Sequence, residues 1–437
     1  MRGRLRKAAA AAAAVLLLAA LAACGSDDTS GDGGEGGDGG TVELTYWTHT
    51  HPPMIELNKK LIAEYEAKHP NVKISYEQIP NTEFGTKMLT ALSNRSGPDI
   101  INMDDSALRG EYIPKDLLAP IDPAGFGKGS VEEIEAGYVP GTLDGAKGKD
   151  GQLYGVPSEF NATAFAINKK HFADAGLDPA SPPETWDDVA EMGRKLVANG
   201  HEGFNFVYLH SGWYSQQLQT LLNETGGSIL TEDGTQAAFN SPEGVEALEV
   251  LVGMAVEDES VFLDIQNSPY TGLFNSGKIG MLVTGPWDLS SFPDVDYGVE
   301  ILPGFDGDHQ TIAGPDMWTV FDNGGGRAPA ALDFIAWLTA ADQMKADALA
   351  TGHLPFRLSV IEDAGFIEEF GAAFPGVDVF AENLANVEQA RPVLAAYPQV
   401  SEAMGFAIVS AMLGESDAQS ALDEAAAQAN DALALAG

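Results

Sequence analysis

Apolar and polar residues alternate along Val42-Glu43-Leu44-Thr45-Tyr46-Trp47, then shift to a three-to-four-residue spacing at Ile55, Leu57, Leu61, Ile62 and Tyr65. The first pattern predicts a half-buried strand and the second predicts one face of a helix. His69-Pro70-Asn71 halts that helix, and Val72-Lys73-Ile74-Ser75-Tyr76 alternates again. Phe84, Met88, Leu89 and Leu92 predict a second helix ending at Ser96-Gly97-Pro98, ahead of a short apolar strand from Asp99 to Met103. Strands and helices trading places at these lengths predict βαβ units around a largely parallel sheet. Ligands on such sheets bind beyond the carboxyl ends of the strands. That makes Trp47-Thr48-His49 and Asp104-Asp105 one candidate mouth.

The same reading continues past a loop rich in glycine, 119–151. Leu153-Tyr154-Gly155-Val156-Pro157 leads into a strand from Thr163 to Asn168, and Pro182-Pro183-Glu184-Thr185 introduces a helix through Trp186, Val189, Met192 and Leu196. A helix from Trp213 to Leu222 stops at Gly226-Gly227. Ser241-Pro242 is an N-cap followed by proline at the first helical position, and Val245, Leu248 and Val252 carry the helix on. Strands are expected at 279–283, 297–302 and 318–321, helices at 328–338 and 342–350, and an Ala-rich helix from Asp417 onward.

The N-terminal segment obeys none of these periodicities. A basic head, Arg2, Arg4, Arg6 and Lys7, precedes the apolar run Ala8 to Ala23, whose 16 residues fall short of the ~18–20 that span a bilayer. Charged head, apolar body and small residues before a boundary describe an export signal over 1–23. Cys24 is the only cysteine, so it cannot form an internal disulfide. Leu21-Ala22-Ala23-Cys24 resembles the bacterial lipobox, which implies a lipidated Cys24 at the head of the mature chain. Stable anchoring takes more than one acyl chain, and the resemblance implies two or three. Residues 24–41, rich in Gly and Asp, then form a flexible tether, because such composition buries too little apolar surface to fold.

Roughly 395 residues remain, more than one core usually organises, so two domains are expected. The chain carries 64 Asp+Glu against 24 Lys+Arg, a net charge of −40, and loss of the four basic residues of the signal makes it −44. Phosphate backbones would repel such a chain, which excludes nucleic acid as a partner.

Catalytic motifs are poorly assembled. Gly272-Leu273-Phe274-Asn275-Ser276-Gly277-Lys278 has P-loop spacing, but Ile279 replaces the hydroxyl residue and a strand follows the motif instead of preceding it. Gly125-Phe126-Gly127-Lys128-Gly129 is too short for a dinucleotide fingerprint. No Gly-x-Ser-x-Gly elbow exists. His49-x-His51 lacks further metal ligands nearby. Asp104 or Glu159 could serve a hydrolase as acid, yet no partner carboxylate can be placed at glycosidase separation from sequence. No enzyme, metal or cofactor is therefore expected. What does recur is aromatic: Trp47, Trp213, Trp287 and Trp318 fall where the chain leaves a strand or enters a helix, whereas Trp186 and Trp337 lie inside helical patterns. Flat rings with Asp, Glu and Asn nearby suit sugar recognition, in which an apolar lining is combined with a few polar groups.

Several short segments occur in a telling order: Leu44-Thr45-Tyr46-Trp47, Gly97-Pro98-Asp99-Ile100-Ile101, Leu153-Tyr154-Gly155-Val156-Pro157, Asn168-Lys169 and Pro183-Glu184-Thr185-Trp186. Gly277-Lys278-Ile279-Gly280-Met281, Gly285-Pro286-Trp287 and Thr351-Gly352-His353-Leu354-Pro355 follow. Together they make residues 42–437 resemble the extracellular solute-binding proteins of ABC importers, in the cluster of maltose-type and glycerol-3-phosphate binders. The resemblance implies an α/β, two-lobed, periplasmic-binding-protein-like fold of type II, its lobes joined by a hinge crossed several times. Lobe 1 would comprise 42–160 and 314–353, and lobe 2 would comprise 161–313 and 354–437, with hinge positions near Phe160-Asn161 and Ala313-Gly314. The implied ligand residues are Trp47, Thr48, His49, Glu83, Asp104, Asp105, Glu159, Asn161, Trp213, Trp287, Trp318 and Arg357, the last being equally suited to holding the lobe together. The implied partners are a sugar, the permease subunits and, through lipid, the outer face of the cell membrane, with the protein itself a monomer. Glycerol-3-phosphate or another polar solute is the alternative ligand, an anchored glycoside hydrolase or an adhesin a more distant reading. A phosphate would need cationic or backbone donors that this acidic mouth offers sparingly.

Overall fold

A computed structural model describes residues 40–436 apart from 95, 105–107, 206–212, 264–269, 306, 388, 390–391 and 393. The expected signal, Cys24, nearly all of the tether and Asp105 lie outside the described residues. Among the described residues, ten strands form two five-stranded sheets. The first contains β1 (Val42–His49), β2 (Val72–Ile79), β3 (Ile100–Asp104), β4 (Gly155–Ala162) and β10 (Ala313–Val320), in the order β2-β1-β3-β10-β4. The second contains β5 (Ala164–Asn168), β6 (Glu202–Asn205), β7 (Val261–Phe262), β8 (Ile279–Thr284) and β9 (Tyr297–Glu300), in the order β7-β6-β8-β5-β9. Each sheet is parallel apart from one antiparallel insertion, β10 between β3 and β4 and β5 between β8 and β9. The protein is thus α/β and two-lobed.

Period-2 alternation explains how each sheet is covered. In β5, an interior strand of sheet two, Ala164 and Ala166 join a first apolar cluster while Phe165 and Ile167 join a second. The first cluster packs sheet one against the helices Pro52–Lys68, Ala328–Leu338 and Ala341–Thr351. The second packs sheet two against Trp186–Ala198, Trp213–Glu224 and the C-terminal pair Tyr397–Met412 and Ala418–Ala436. Thr185 starts the helix Trp186–Ala198 with a capping box, its hydroxyl accepting from the Asp188 N–H while the Asp188 carboxylate accepts in return.

The chain crosses between sheets directly, from β4 through Thr163 to β5, and returns through 301–312 into β10. These crossings are tied laterally. The Thr163 and Thr311 hydroxyls meet at 2.9 Å, Asn383 Nδ2 donates to the Thr163 carbonyl at 2.6 Å, and the Thr311 N–H donates to the Asn386 carbonyl at 3.1 Å. Buried backbone at a crossing needs such partners. Here they come from three chain segments far apart in sequence.

Candidate functional site

β1, β3 and β4 all end at the same edge of sheet one, and antiparallel β10 begins there. Their residues form a polar row. His49 closes β1, Asp104 of β3 pairs in register with Asp316 of β10, and Asp316 pairs with Glu159 of β4. A register shift after Asp316 leaves Ser158 without a pairing partner, its hydroxyl donating to the Asp316 carbonyl at 3.1 Å. Bulges of this kind re-aim the side chains beside them. His49 Nε2 lies 2.8 Å from Asp316 Oδ2, and their side chains keep 25% and 15% of their exposure. Burial pushes the His49 imidazole down, but the hydrogen bond and charge of Asp316 outweigh it and leave it raised.

Behind this row lies a second layer. His353 Nε2 contacts Glu159 Oε2 at 2.5 Å and His353 Nδ1 contacts Asp347 Oδ2 at 3.1 Å. Burial, with the Asp316 charge adding to it, leaves the Glu159 carboxyl raised even though the His353 charge opposes the rise. For His353, burial acts downward, yet the two carboxylates carry it well above its usual value. His51 has the opposite fate. Burial and the charges of His353 and His49 push it down to about 3, so it stays neutral and donates from Nε2 to the Trp287 carbonyl at 3.2 Å.

That last bond joins the two sheets' territories, because Trp287 belongs to the short 3-10 helix Pro286–Ser291 that follows β8. Asp288 pins the turn by accepting from Thr284 Oγ1 at 2.6 Å and the Tyr270 hydroxyl at 2.5 Å, its own carboxyl pushed up by burial to about 6. The half-buried Trp287 indole folds over Gly285, where a Cβ would lie 2.2 Å from the ring. Gly352 is equally constrained: its φ is +89°, and a Cβ would meet the Pro286 carbonyl oxygen at 2.3 Å. Only glycine lets the chain turn out of the helix Ala341–Thr351 and bring His353 beneath Glu159.

The structure brings together His49, Glu159 and the backbone of Asp104, with Trp287 joined through His51. It separates others. Trp318 is corrected from a stacking surface to a core residue: it is 7% exposed, and its Nε1–H donates to the Tyr46 hydroxyl at 2.8 Å beneath the helix Pro52–Lys68. Thr48 is likewise corrected, because it is fully buried with its hydroxyl 2.9 Å from that of Tyr76. Arg357 donates to the Thr339 carbonyl and the Tyr138 hydroxyl, both at 2.9 Å, and caps the Tyr138 ring, so it fastens the chain instead of facing a ligand. Asn161 is buried at the crossing, where Oδ1 accepts from the Leu354 N–H at 3.1 Å. Trp47 is half-buried under Lys87, whose Nζ stands 4.4 Å from the ring centre. Glu83 is exposed in the first turn of the helix Asn81–Ser93. Trp213 starts its helix, and its side chain, like that of Asp104, is not described.

Sequence reasoning missed Asp316, Asp347 and His353 as parts of the site. Only His353 left a signal, standing inside Thr351-Gly352-His353-Leu354-Pro355. The His49-x-His51 pair sends its side chains to different partners, and no group among the described residues is arranged to hold a metal ion.

In α/β sheets of this kind, polar residues at converging strand ends are where ligands bind. Residues 51–345 match the model of the bacterial extracellular solute-binding proteins, and the chain belongs to that family. It is similar to the cyclic α-maltosyl-1,6-maltose binding protein from Arthrobacter globiformis, with 29% identity and a TM-score of 0.71 over 90% of this chain and 99% of that one. The sn-glycerol-3-phosphate-binding periplasmic protein of Brucella melitensis is 24% identical over 90% of this chain and 94% of its own length. The maltotriose-binding protein of Pyrococcus abyssi is 23% identical over 74% and 68%. No helix among the described residues is long and apolar enough to cross a membrane.

Proposed function

We propose that the protein captures a neutral sugar between its lobes and delivers it to the permease of an ABC importer, held to the outer face of the membrane by lipid on Cys24. The observation that carries the ligand class is the row of His49, Asp316 and Glu159, with the half-buried Trp287 tied to the same end of the sheet through His51. Carboxylates accept hydrogen bonds from hydroxyls, and an indole face offers stacking to a pyranose ring. The two relatives whose names carry maltose or maltotriose agree with this reading. A glycerol-3-phosphate ligand, bound by another relative, would bring a dianion against Asp316 and Glu159, with His49 already engaged by Asp316. Close like charges without compensating donors cost several kcal/mol in specificity, roughly.

In this reading lobe 1 spans 42–160 and 314–353 and lobe 2 spans 161–313 and 354–437. The crossing at Phe160-Asn161, paired in register with Pro315 and Gly314, absorbs the motion. The ligand site also includes Trp47 and the side chains of Asp104 and Trp213. The chain acts as a monomer without a cofactor.

A thermal-shift panel tests the ligand. A ligand at 100 times its dissociation constant stabilises the native state by about 2.7 kcal/mol. Maltose or maltotriose at millimolar concentration is expected to raise the melting temperature, and glycerol-3-phosphate is expected to leave it unchanged. Stabilisation by the phosphate alone would overturn the assignment.

A further inference from the structure

We propose that His353, held by Asp347, positions Glu159 for the ligand by setting a cation against one carboxylate oxygen, which favours the ionised, hydrogen-bond-accepting form of the group. This rests on reading the strand-end row as the sugar site. The argument begins with geometry. Both ring nitrogens of His353 face carboxylate oxygens, at 2.5 Å and 3.1 Å. Nδ1 is in hydrogen-bond contact with Asp347, whereas the Nε2 contact with Glu159 Oε2 is an ion-pair contact without hydrogen-bond alignment, so the ring acts on Glu159 through its charge. Glu159 Oε2 is buried against it, yet 11% of the Glu159 side chain remains exposed. One oxygen is therefore held beside the His353 ring, and solvent contact is left to the rest of the side chain. A hydroxyl donor approaching from the crevice meets an acceptor whose orientation is already set.

The described elements packed around His353 bring the following titratable groups to it. β1 contributes His49, engaged by Asp316 of β10, and the N-terminus of the helix Pro52–Lys68 contributes the neutral His51, its ring 5.4 Å from that of His353. β4 contributes Glu159, and the helix Ala341–Thr351 contributes Asp347. The turn Pro286–Ser291 contributes Asp288, which points to Thr284 and Tyr270. His353 is therefore the cation placed directly on Glu159. Without it, burial and the neighbouring Asp316 would drive the Glu159 carboxyl toward its protonated, donor-bearing form. A protonated Glu159 presents a different hydrogen-bonding pattern to a sugar hydroxyl. His353 thus governs what the crevice recognises as well as how its floor is held.

The test is a pH titration of the carboxyl infrared band assigned to Glu159 by its absence in Glu159→Gln, made on the full chain without ligand. In His353→Gln the midpoint of that band should rise by at least about one pH unit, equivalent to a tenfold loss of preference for the ionised form. Asp347→Asn should move it the same way by less, and it serves if His353→Gln does not fold. A purely structural role for His353 would lower the melting temperature and leave the midpoint in place, which overturns the proposal. Calorimetry with maltotriose between pH 5 and 8 supplies the second arm. The acid loss of affinity should begin at a correspondingly higher pH in His353→Gln. If maltotriose binds neither protein while the midpoint still moves, the positioning stands and the sugar reading alone fails.

Discussion

Trp287 and Trp318 occupy similar places in the sequence, each near the end of a strand, and the structure gives them different surroundings. Trp318 fills core space and satisfies the Tyr46 hydroxyl, whereas Trp287 is half-buried on a turn whose carbonyl receives His51. The two should therefore separate experimentally. Trp318→Ala is expected to cost about 3–5 kcal/mol of stability, the scale for removing a large buried ring, with little direct effect on ligand affinity in the folded fraction. Trp287→Ala should do the reverse, weakening sugar binding by about 1–3 kcal/mol while the urea midpoint stays near wild type. Denaturant unfolding and calorimetry on both variants check the pair. Equal losses of stability would mean that Trp287 is core as well.

At the scale of elements, the helix Trp213–Glu224 ends on an unusual charge. Glu224 is buried, its Oε2 accepting from Trp186 Nε1 at 2.9 Å and its Oε1 from the Gln310 N–H at 3.2 Å. Burial nevertheless pushes its carboxyl up to about 8, with Asp308 adding in the same direction. The unfolded chain releases this proton near pH 4.5 and the folded chain holds it to about 8, so the folded state binds more protons throughout that window. Stability from this group is present below the lower value and drains away as pH rises through the higher one. Glu224→Gln should flatten the fall in urea midpoint between pH 5 and 8, and an unchanged slope would exclude Glu224 as its source. The alternating strands β1 and β2 and the helix Pro52–Lys68 were legible because each has one wet face, so its period shows. β4 was not: it is buried almost throughout, and Pro157, Ser158, Glu159 and Asn161 disguise it as loop. The helix Tyr397–Met412 escaped because its buried face includes Ala403, Gly405, Ala407 and Ala411, small residues that close on an Ala-rich neighbour and leave a faint apolar stripe. The row at the mouth was half-legible. His49 ends β1, a strand that could be counted, whereas Glu159 lies on the disguised β4 and Asp347 and His353 reach the row only through the turn that Gly352 permits.

The whole molecule carries 64 acidic against 24 basic side chains, and its folded form concentrates that excess. Some of the excess is relieved locally, as in the pairs of Lys115 with Glu111 and Lys345 with Asp363, but basic residues are too few to match the acids. Self-repulsion at this net charge opposes compaction, and it is long-ranged when salt is low. The Debye length falls from about 30 Å at 0.01 M to about 10 Å at 0.1 M and about 3 Å at 1 M. Repulsion across the molecule is thus largely screened by 0.1 M, and repulsion between near neighbours is screened only as salt approaches 1 M. The crossings that hold the lobes together rely on neutral groups, Thr163, Thr311, Asn383 and Asn386, which salt does not weaken by screening. The melting temperature should therefore climb with sodium chloride in two stages, steeply to about 0.1 M and more gently to about 1 M, without the decline expected of a fold tied by ion pairs. Scanning calorimetry across that series checks it. A melting temperature that falls as salt rises would mean that attractive ion pairs, not the acidic excess, dominate the electrostatics of the fold.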